Sequence, residues 1–251
     1  MDAIQNGDIS RVKELLDSGI DPNIEDIYKE TTPLIYATMK GRDKIVRLLL
    51  DSKADPNIRD RWGITALRVA SSMGYTDIVK ILFNYNIDTN IRDNSGMTAL
   101  MLAAKSWCKY SNEKLRTLTN AGADLNIQQR DGETALMLAI QYGRYAAKTM
   151  VHTLTEAGAD VNIQNKNGNT ALIYASHNQS EDAKEMIHTL TNAGANLDKK
   201  NKFGYTALML TTHMPHEHTD MIIYALTRGG ADVNKIWKDG LTTLMFASQN
   251  K

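Results

Sequence analysis

Short apolar runs alternate with polar, turn-rich stretches along the whole chain, at an almost constant interval. The segment from Thr65 to Gly96 serves as a specimen. Thr65 is placed to cap a helix, its hydroxyl accepting a backbone N–H of the first turn, and Leu67, Val69 and Ala70 give a short helix with small residues on one side. Gly74 closes that helix. Ile78, Val79, Ile81 and Leu82 then fall at the i, i+3, i+4 spacing of an apolar stripe, which predicts a second helix ending near Asn86. From Asn90 to Gly96 the chain carries Asp93, Asn94 and Ser95, residues that hydrogen-bond their own backbone and favour turns, so an extended hairpin tip is expected. Helix, turn, helix, hairpin is the unit.

The unit recurs. A Thr-x-Leu box stands at Thr32, Thr65, Thr98, Thr134, Thr170, Thr206 and Thr242, with spacings of 33, 33, 36, 36, 36 and 36 residues. Six of the 16 glycines lie two residues before a box threonine, and five more open a Gly-x-Asp/Asn step suited to a left-handed helix cap. Thr134 to Gly143 is nine residues, as is Thr65 to Gly74, but Thr134 to Gly158 is 24 against 21 for Thr65 to Asn86. The three extra residues therefore sit between the first helix and the stripe of the second, and predict a longer inter-helix turn or a longer second helix in the last four units.

These motifs resemble ankyrin repeats, whose unit of about 33 residues carries a Thr-Pro-Leu-His box. GETALMLA at 132–139 with GADVN at 158–162, and GNTALIYA at 168–175 with GANLD at 194–198, match that pattern. The resemblance implies an all-α solenoid of helix-turn-helix units with β-hairpin tips, 33-residue repeats followed by 36-residue repeats. It implies one array over 1–251: an N-terminal capping repeat at 1–31, six full repeats over 32–241 and an incomplete repeat at 242–251. Val12, Leu15 and Leu16 would form the inner stripe of the cap, with Arg11, Lys13, Glu14 and Asp17 toward water. One departure is consistent. The box histidine is replaced by Ile35, Arg68, Met101, Met137, Ile173, Met209 and Met245, so any hydrogen bonds it makes between repeats are missing or replaced.

Composition narrows the function. Of 251 residues, 42% are apolar and 23% charged, with 29 basic against 29 acidic side chains, which excludes a disordered chain and gives no global pull toward nucleic acid or anionic lipid. One cysteine, Cys108, forms no internal disulfide and points to a reducing compartment. No apolar stretch is long enough to span a bilayer, and the start MDAIQNGDIS is polar and acidic rather than signal-like, so a cytoplasmic protein is expected. Frequent Asn, Lys and Ile are similar to the ankyrin proteins of large DNA viruses and intracellular bacteria, which extends that expectation to a host-cell cytoplasm.

No phosphate loop, nucleophile elbow, His-Glu-x-x-His or cysteine pair is present, so neither an enzyme nor a cofactor is expected. The run His213 to Asp220 holds three histidines and two carboxylates, but reads as a polar surface turn with Pro215 starting the second helix, and no metal is assigned. The hairpin tips are more informative. Four residues after each repeat asparagine, or Asp198 in its slot, stand Arg61, Asn94, Arg130, Lys166, Lys202 and Lys238. The residue just before runs Asp60, Asp93, Gln129, Asn165, Asn201, Trp237, so a neighbouring acid is lost along the chain. Counting from the residue after the asparagine slot to the one before the box, the first four tips carry charges of −2, +1, 0 and −1 and the last three +1, +3 and +1. The C-terminal tips thus form a basic edge, with Lys199, Lys200 and Lys202 densest and Phe203, Tyr205 and Trp237 interleaved.

Two further rows bear on recognition. The box slot is rich in methionine, which serves either as a packing gap-filler or as an adaptable contact surface. The ends of the first helices read Met39, Met73, Tyr142, His177 and Met214, and Trp107 replaces the usual turn glycine in the third full unit. The expected function is a non-enzymatic protein–protein interaction module, monomeric, binding an acidic protein surface through its tips and inner helices. Arg61, Trp62, Met101, Trp107, Arg130, Met137, Tyr142, Lys166, Lys199, Lys200, Lys202, Phe203, Tyr205, Trp237 and Lys238 are the candidate contacts. The alternative is a nucleic-acid or other polyanion binder using the basic C-terminal tips; no membrane partner is expected.

Overall fold

Helices form where the boxes and stripes predict them. The computed structural model describes residues 1–26, 30–106, 111–236 and 242, so the expectations for Trp107, Cys108, Trp237, Lys238 and Met245 lie outside the described residues. The first helices of successive repeats are α1 Asp2–Asn6, α3 Pro33–Met39, α5 Ala66–Met73, α7 Ala99–Lys105, α9 Ala135–Tyr142, α11 Ala171–Ser176 and α13 Ala207–His213. Their partners are α2 Ile9–Asp17, α4 Asp43–Asp51, α6 Thr76–Leu82, α8 Ser111–Asn120, α10 Ala147–Glu156, α12 Ala183–Asn192 and α14 Thr219–Arg228. No strand occurs among the described residues, only isolated bridges at Asp26–Thr31 and Ile236–Thr242.

The box threonine explains the start of each first helix, α3, α5, α7, α9, α11 and α13. Thr32, Thr65, Thr98, Thr134, Thr170 and Thr206 each accept, at 3.2–3.5 Å, the backbone N–H three residues on, satisfying one of the donors that a helix leaves unpaired. Helices α2, α8, α10, α12 and α14 stop at the expected left-handed glycine, while α4 uses Lys53 at φ 69° and α6 ends without a left-handed residue. A Cβ on Gly122, Gly158 or Gly194 would meet nothing within 4 Å, so those glycines are needed for their positive φ alone.

The chain packs as two compact units, Met1–Ala103 with Arg116–Asp124, and Ala104–Leu115 with Leu125–Lys251. In the first, α1, α3 and α5 stack in one layer and α2, α4 and α6 in the other, each helix also packing on its partner within the repeat. In the second, α9, α11 and α13 form the inner layer and α10, α12 and α14 the outer one. Leu34, Ile45, Leu49, Leu67 and Leu82 fill the first core; Leu136, Met150, Leu154, Leu172, Ile187 and Leu208 fill the second.

The longer repeats use both devices that their spacing allows. Their second helices run ten residues against nine and seven in α4 and α6, and the turns before them lengthen. In α9–α10 the addition is a 3-10 turn, Arg144–Ala146, in which the left-handed conformation passes from glycine to Arg144 at φ 45°. Gly143 is right-handed there, and it must be glycine for close approach: a Cβ would sit 2.4 Å from the Ala139 carbonyl oxygen. Between α13 and α14 the second helix begins at Thr219, four residues after Pro215, which lies in the turn rather than at the helix start. His216 N–H donates to the Thr219 hydroxyl at 2.6 Å, and that contact sets the start.

Candidate functional site

The tips at Asp60, Asp93, Gln129, Asn165 and Asn201 are closed turns, each built around that side chain. In the first unit Asp60 accepts from the N–H groups of Trp62 and Ile64, at 2.9 and 2.8 Å, and Asp93 accepts from Ser95 and Met97. In the second unit the same slot holds an amide. Asn165 accepts from Asn167 and Asn169, both at 2.9 Å, and Asn201 from Phe203 and Tyr205, both at 3.0 Å. An amide carbonyl thus replaces a carboxylate without losing a turn bond, and the tip loses one negative charge.

Adjacent tips are laced together, which fixes their register. Lys166 N–H donates to the Asp131 carbonyl at 2.9 Å, and Lys202 N–H to the Asn167 carbonyl at 3.0 Å. Gly168 sits so close to the next tip that a Cβ would fall 2.7 Å from the Lys202 nitrogen. These lateral bonds stand in place of the paired hairpin strands that the sequence suggests. Each tip retains only its own closing bonds, such as Asn165 N–H to the Asn169 carbonyl.

The cations differ in what surrounds them. Arg61 pairs with Glu30 and lies 4.1 Å over the exposed Trp62 ring, so in the first unit the tip cation is neutralised internally. Arg130, Lys166 and Lys202 are exposed and make no ion pair with any described residue. Lys199 and Lys200 do something else. Lys199 Nζ donates to the Asn162 carbonyl at 2.8 Å and Lys200 Nζ to the Ile236 carbonyl at 3.1 Å, tying each tip loop to a neighbouring repeat. Phe203 is 59% exposed beside Lys202. Tyr205 is only half-buried and stacks on His213, with ring centroids 6.0 Å apart.

Two expected contacts need correction. Met101 and Met137 are each 1% exposed, and Ile35, Ile173 and Met209 are buried in the same slot, so among the described residues it is core and not recognition surface. Only Arg68 keeps a polar role there, pairing with Asp93 at 3.0 Å. At the ends of the first helices, by contrast, Met39 and Met73 in the first unit and Tyr142 and Met214 in the second reach the surface. Lys105 Nζ lies 4.9 Å over the Tyr142 ring, and His177 Nε2 is 3.4 Å from Met214 Sδ.

Between the tips and the helix ends of the second unit lies a polar chain. Asn165 donates to the Tyr174 hydroxyl at 2.9 Å, and that hydroxyl donates to Glu133. Burial and the Glu133 carboxylate hold the Tyr174 phenol well above its usual range, so it stays a donor and keeps Glu133 occupied. At the other end, burial, followed by the neighbouring His216 and His213, pushes His177 below the usual imidazole value. Among the described residues no group of three or more His, Cys, Asp or Glu side chains is placed to hold a metal ion. The sequence did not suggest the open groove of about 400 Å³ lined by Ile140, Arg144, Tyr145, Asn178, Ser180 and Glu181. Its only signal is the three-residue insertion that builds it.

The family model described as Ankyrin repeats (3 copies) matches residues 1–93, 52–129 and 100–201. Among solved structures, the ankyrin repeat domain of Bcl-3, described as a unique member of the IkappaB protein family, is 27% identical, with a TM-score of 0.76 over 90% of this chain and 96% of that one. An ankyrin repeat domain from Acinetobacter baumannii AYE is 29% identical, with a TM-score of 0.71 over 77% of this chain and 96% of that one. Comparison with curated protein sequences gives no match. No described helix is long and apolar enough to cross a membrane.

Proposed function

The chain belongs to the ankyrin repeat family, whose repeats generally mediate protein–protein interaction, and from that premise we propose that it binds an acidic protein segment along the tips of its second unit. Arg130, Lys166 and Lys202 supply the charge, and Phe203 with Tyr142 the apolar contact. Lys199 and Lys200 contribute field while bracing the loops, and Arg61 with Trp62 plays a lesser part because Glu30 already answers its charge. The protein acts by binding rather than by catalysis, as a monomer, in a reducing cytoplasmic compartment, its own or that of a host cell.

The observation that carries this reading is the substitution of Asn165 and Asn201 for the turn aspartates of the first unit. The turn bonds persist, and the adjacent lysines face solvent without a counter-charge. Equivalent residues of stacked repeats lie about 10 Å apart, the helix-packing distance, which is close to the Debye length at 0.1 M salt. Such a row acts as a stripe toward an approaching acidic chain. Exposed rim charges of this kind govern association rate and salt dependence more than depth of binding.

The test is anisotropy of fluorescent glutamate-rich peptides, with aromatic residues interspersed, against the full chain at low and high salt. The triple change Arg130→Glu, Lys166→Glu, Lys202→Glu is expected to weaken binding about tenfold or more at low salt, whereas Arg61→Glu changes it little. Equal loss in both variants, or none in either, would remove the second-unit edge as the site. A short single-stranded oligonucleotide is expected to titrate flat; a steep salt-dependent isotherm would favour the polyanion alternative instead.

A further inference from the structure

The first repeat carries a different kind of surface. Helices α1 and α2 and the loop that follows leave an open groove of about 190 Å³, lined by Ile4, Val12, Leu15, Leu16, Ile20 and Ile24. Ile20 is 44% and Ile24 56% exposed, and Leu15 and Leu16 are half-buried. The next repeat provides the comparison, because Asp21-Pro22-Asn23 aligns with Asp55-Pro56-Asn57 and so Leu15 and Leu16 align with Leu49 and Leu50. Those two are only 1% and 4% exposed, in a helix that packs against α2. Helix α2 has no described helix on its own corresponding side. A face that met only water would be served by polar residues, yet Ile20 stands where the second repeat has Ala54.

Charge says what would complement it. Residues 1–31 hold eight carboxylates (Asp2, Asp8, Glu14, Asp17, Asp21, Glu25, Asp26 and Glu30) against three cations (Arg11, Lys13 and Lys29), a formal −5 in a chain that is neutral overall. Arg11 is held by Glu14 at 2.9 Å. Asp21 and Asp26 line the groove itself. The shape is set by the fold, since the equivalent face of α4, with Leu49 and Leu50, is covered by a helix, α2. A second such helix is the natural occupant.

We propose that this N-terminal face docks a basic amphipathic α-helix of a partner protein. Its aliphatic residues, spaced i, i+3 or i+4 and i+7, enter the groove over Leu15, Leu16, Ile20 and Ile24. Lysines or arginines flanking that stripe meet the carboxylates at the rim. The surface lies in the first unit and is independent of the basic tips.

A fluorescein-labelled amphipathic helix of leucine and lysine, about 14 residues long, is the probe, titrated into the full chain at 0.15 M salt with anisotropy as the readout. Saturable binding is expected, weakened at least tenfold by the double change Ile20→Glu, Ile24→Glu. Both side chains are exposed, and an unchanged circular dichroism melt establishes that the variant folds. Charge reversal at Lys166 and Lys202 should leave the isotherm within twofold of the parent. A peptide of the same composition scrambled to remove the stripe, and a leucine–glutamate helix, are each expected to bind at least tenfold more weakly. Equal binding of the scrambled peptide would reduce the effect to charge, and equal binding of the glutamate helix to greasiness; either overturns the proposal. So does a double variant that binds as the parent does, or sedimentation showing that the parent dimerises through this face and the variant does not.

Discussion

Asn165 and Asn201 separate the two things that a tip aspartate does. The turn needs an acceptor for two N–H groups, and a side-chain amide supplies one as well as a carboxylate does. Besides charge, only the amide's donor side changes: Asn165 Nδ2 donates to the Tyr174 hydroxyl and Asn201 Nδ2 to Asn169 Oδ1. The double variant Asn165→Asp, Asn201→Asp keeps the turn acceptors but loses those two donated bonds at buried positions, so its stability should fall by about 1 kcal/mol for each. Its affinity for the glutamate-rich peptide at low salt should fall several-fold, and the difference should shrink as salt screens the restored carboxylates. Urea unfolding and anisotropy on one preparation check both halves. A variant that keeps its low-salt affinity would mean that the amides serve the fold and not the field.

At the scale of the element, the starts of the first helices from α3 to α13 were legible because a box threonine marks each of them, and the two repeat lengths were legible because the boxes can be counted. Which face of a first helix is buried was not. ALMLAIQY in α9 is apolar all round, and a helix of two turns between two like neighbours buries nearly every side of itself. Repeat position separates buried Met137, in the box slot, from exposed Met214, at the helix end, but a methionine in either slot suits packing or contact, and only the run of the following turn decides exposure. The left-handed Arg144 was hidden for the same reason, with Gly143 beside it as the expected carrier of positive φ. The lengthened turns also place His177 between Met214, His213 and His216, with Nδ1 buried and without a hydrogen-bond partner among the described residues. Burial first, and the two neighbouring imidazoles next, lower its pKa, so the folded chain disfavours the charged ring. The unfolded chain takes up a proton below about 6.5, the ordinary histidine value, while the folded one resists until lower pH. Stability contributed by the neutral ring is thus present above that value and lost as pH falls through it. Between pH 7.5 and 5.5 the parent should lose more melting temperature than His177→Gln, in which carboxylate effects are retained and this proton site is gone. Parallel losses in the two proteins would show that His177 does not titrate differently on folding.

Across the molecule, the even charge balance conceals a strong local sorting: a formal −5 in the first 31 residues, against tips of +1, +3 and +1 at the other end of the sequence. A neutral total gives no global pull toward polyanions, and sorting by repeat allows two surfaces of opposite sign in one chain. Repeat architecture makes this workable, because each unit buries its faces on its neighbours and surface changes in one repeat leave the rest of the core untouched. The same locality governs stability. Leu172, 1% exposed in α11, packs in the layer shared with α9 and α13. Leu172→Ala removes buried methyl groups and leaves a cavity, a loss of about 2–5 kcal/mol. In a globular core with one cooperative transition that loss would be felt everywhere. Here amide exchange should accelerate most in α9, α11 and α13, less in α10, α12 and α14, and hardly at all in α3 and α4 of the other unit. Uniform acceleration through α3 and α4 would mean that the two units unfold as one, and that a ligand held on either surface stabilises the whole chain.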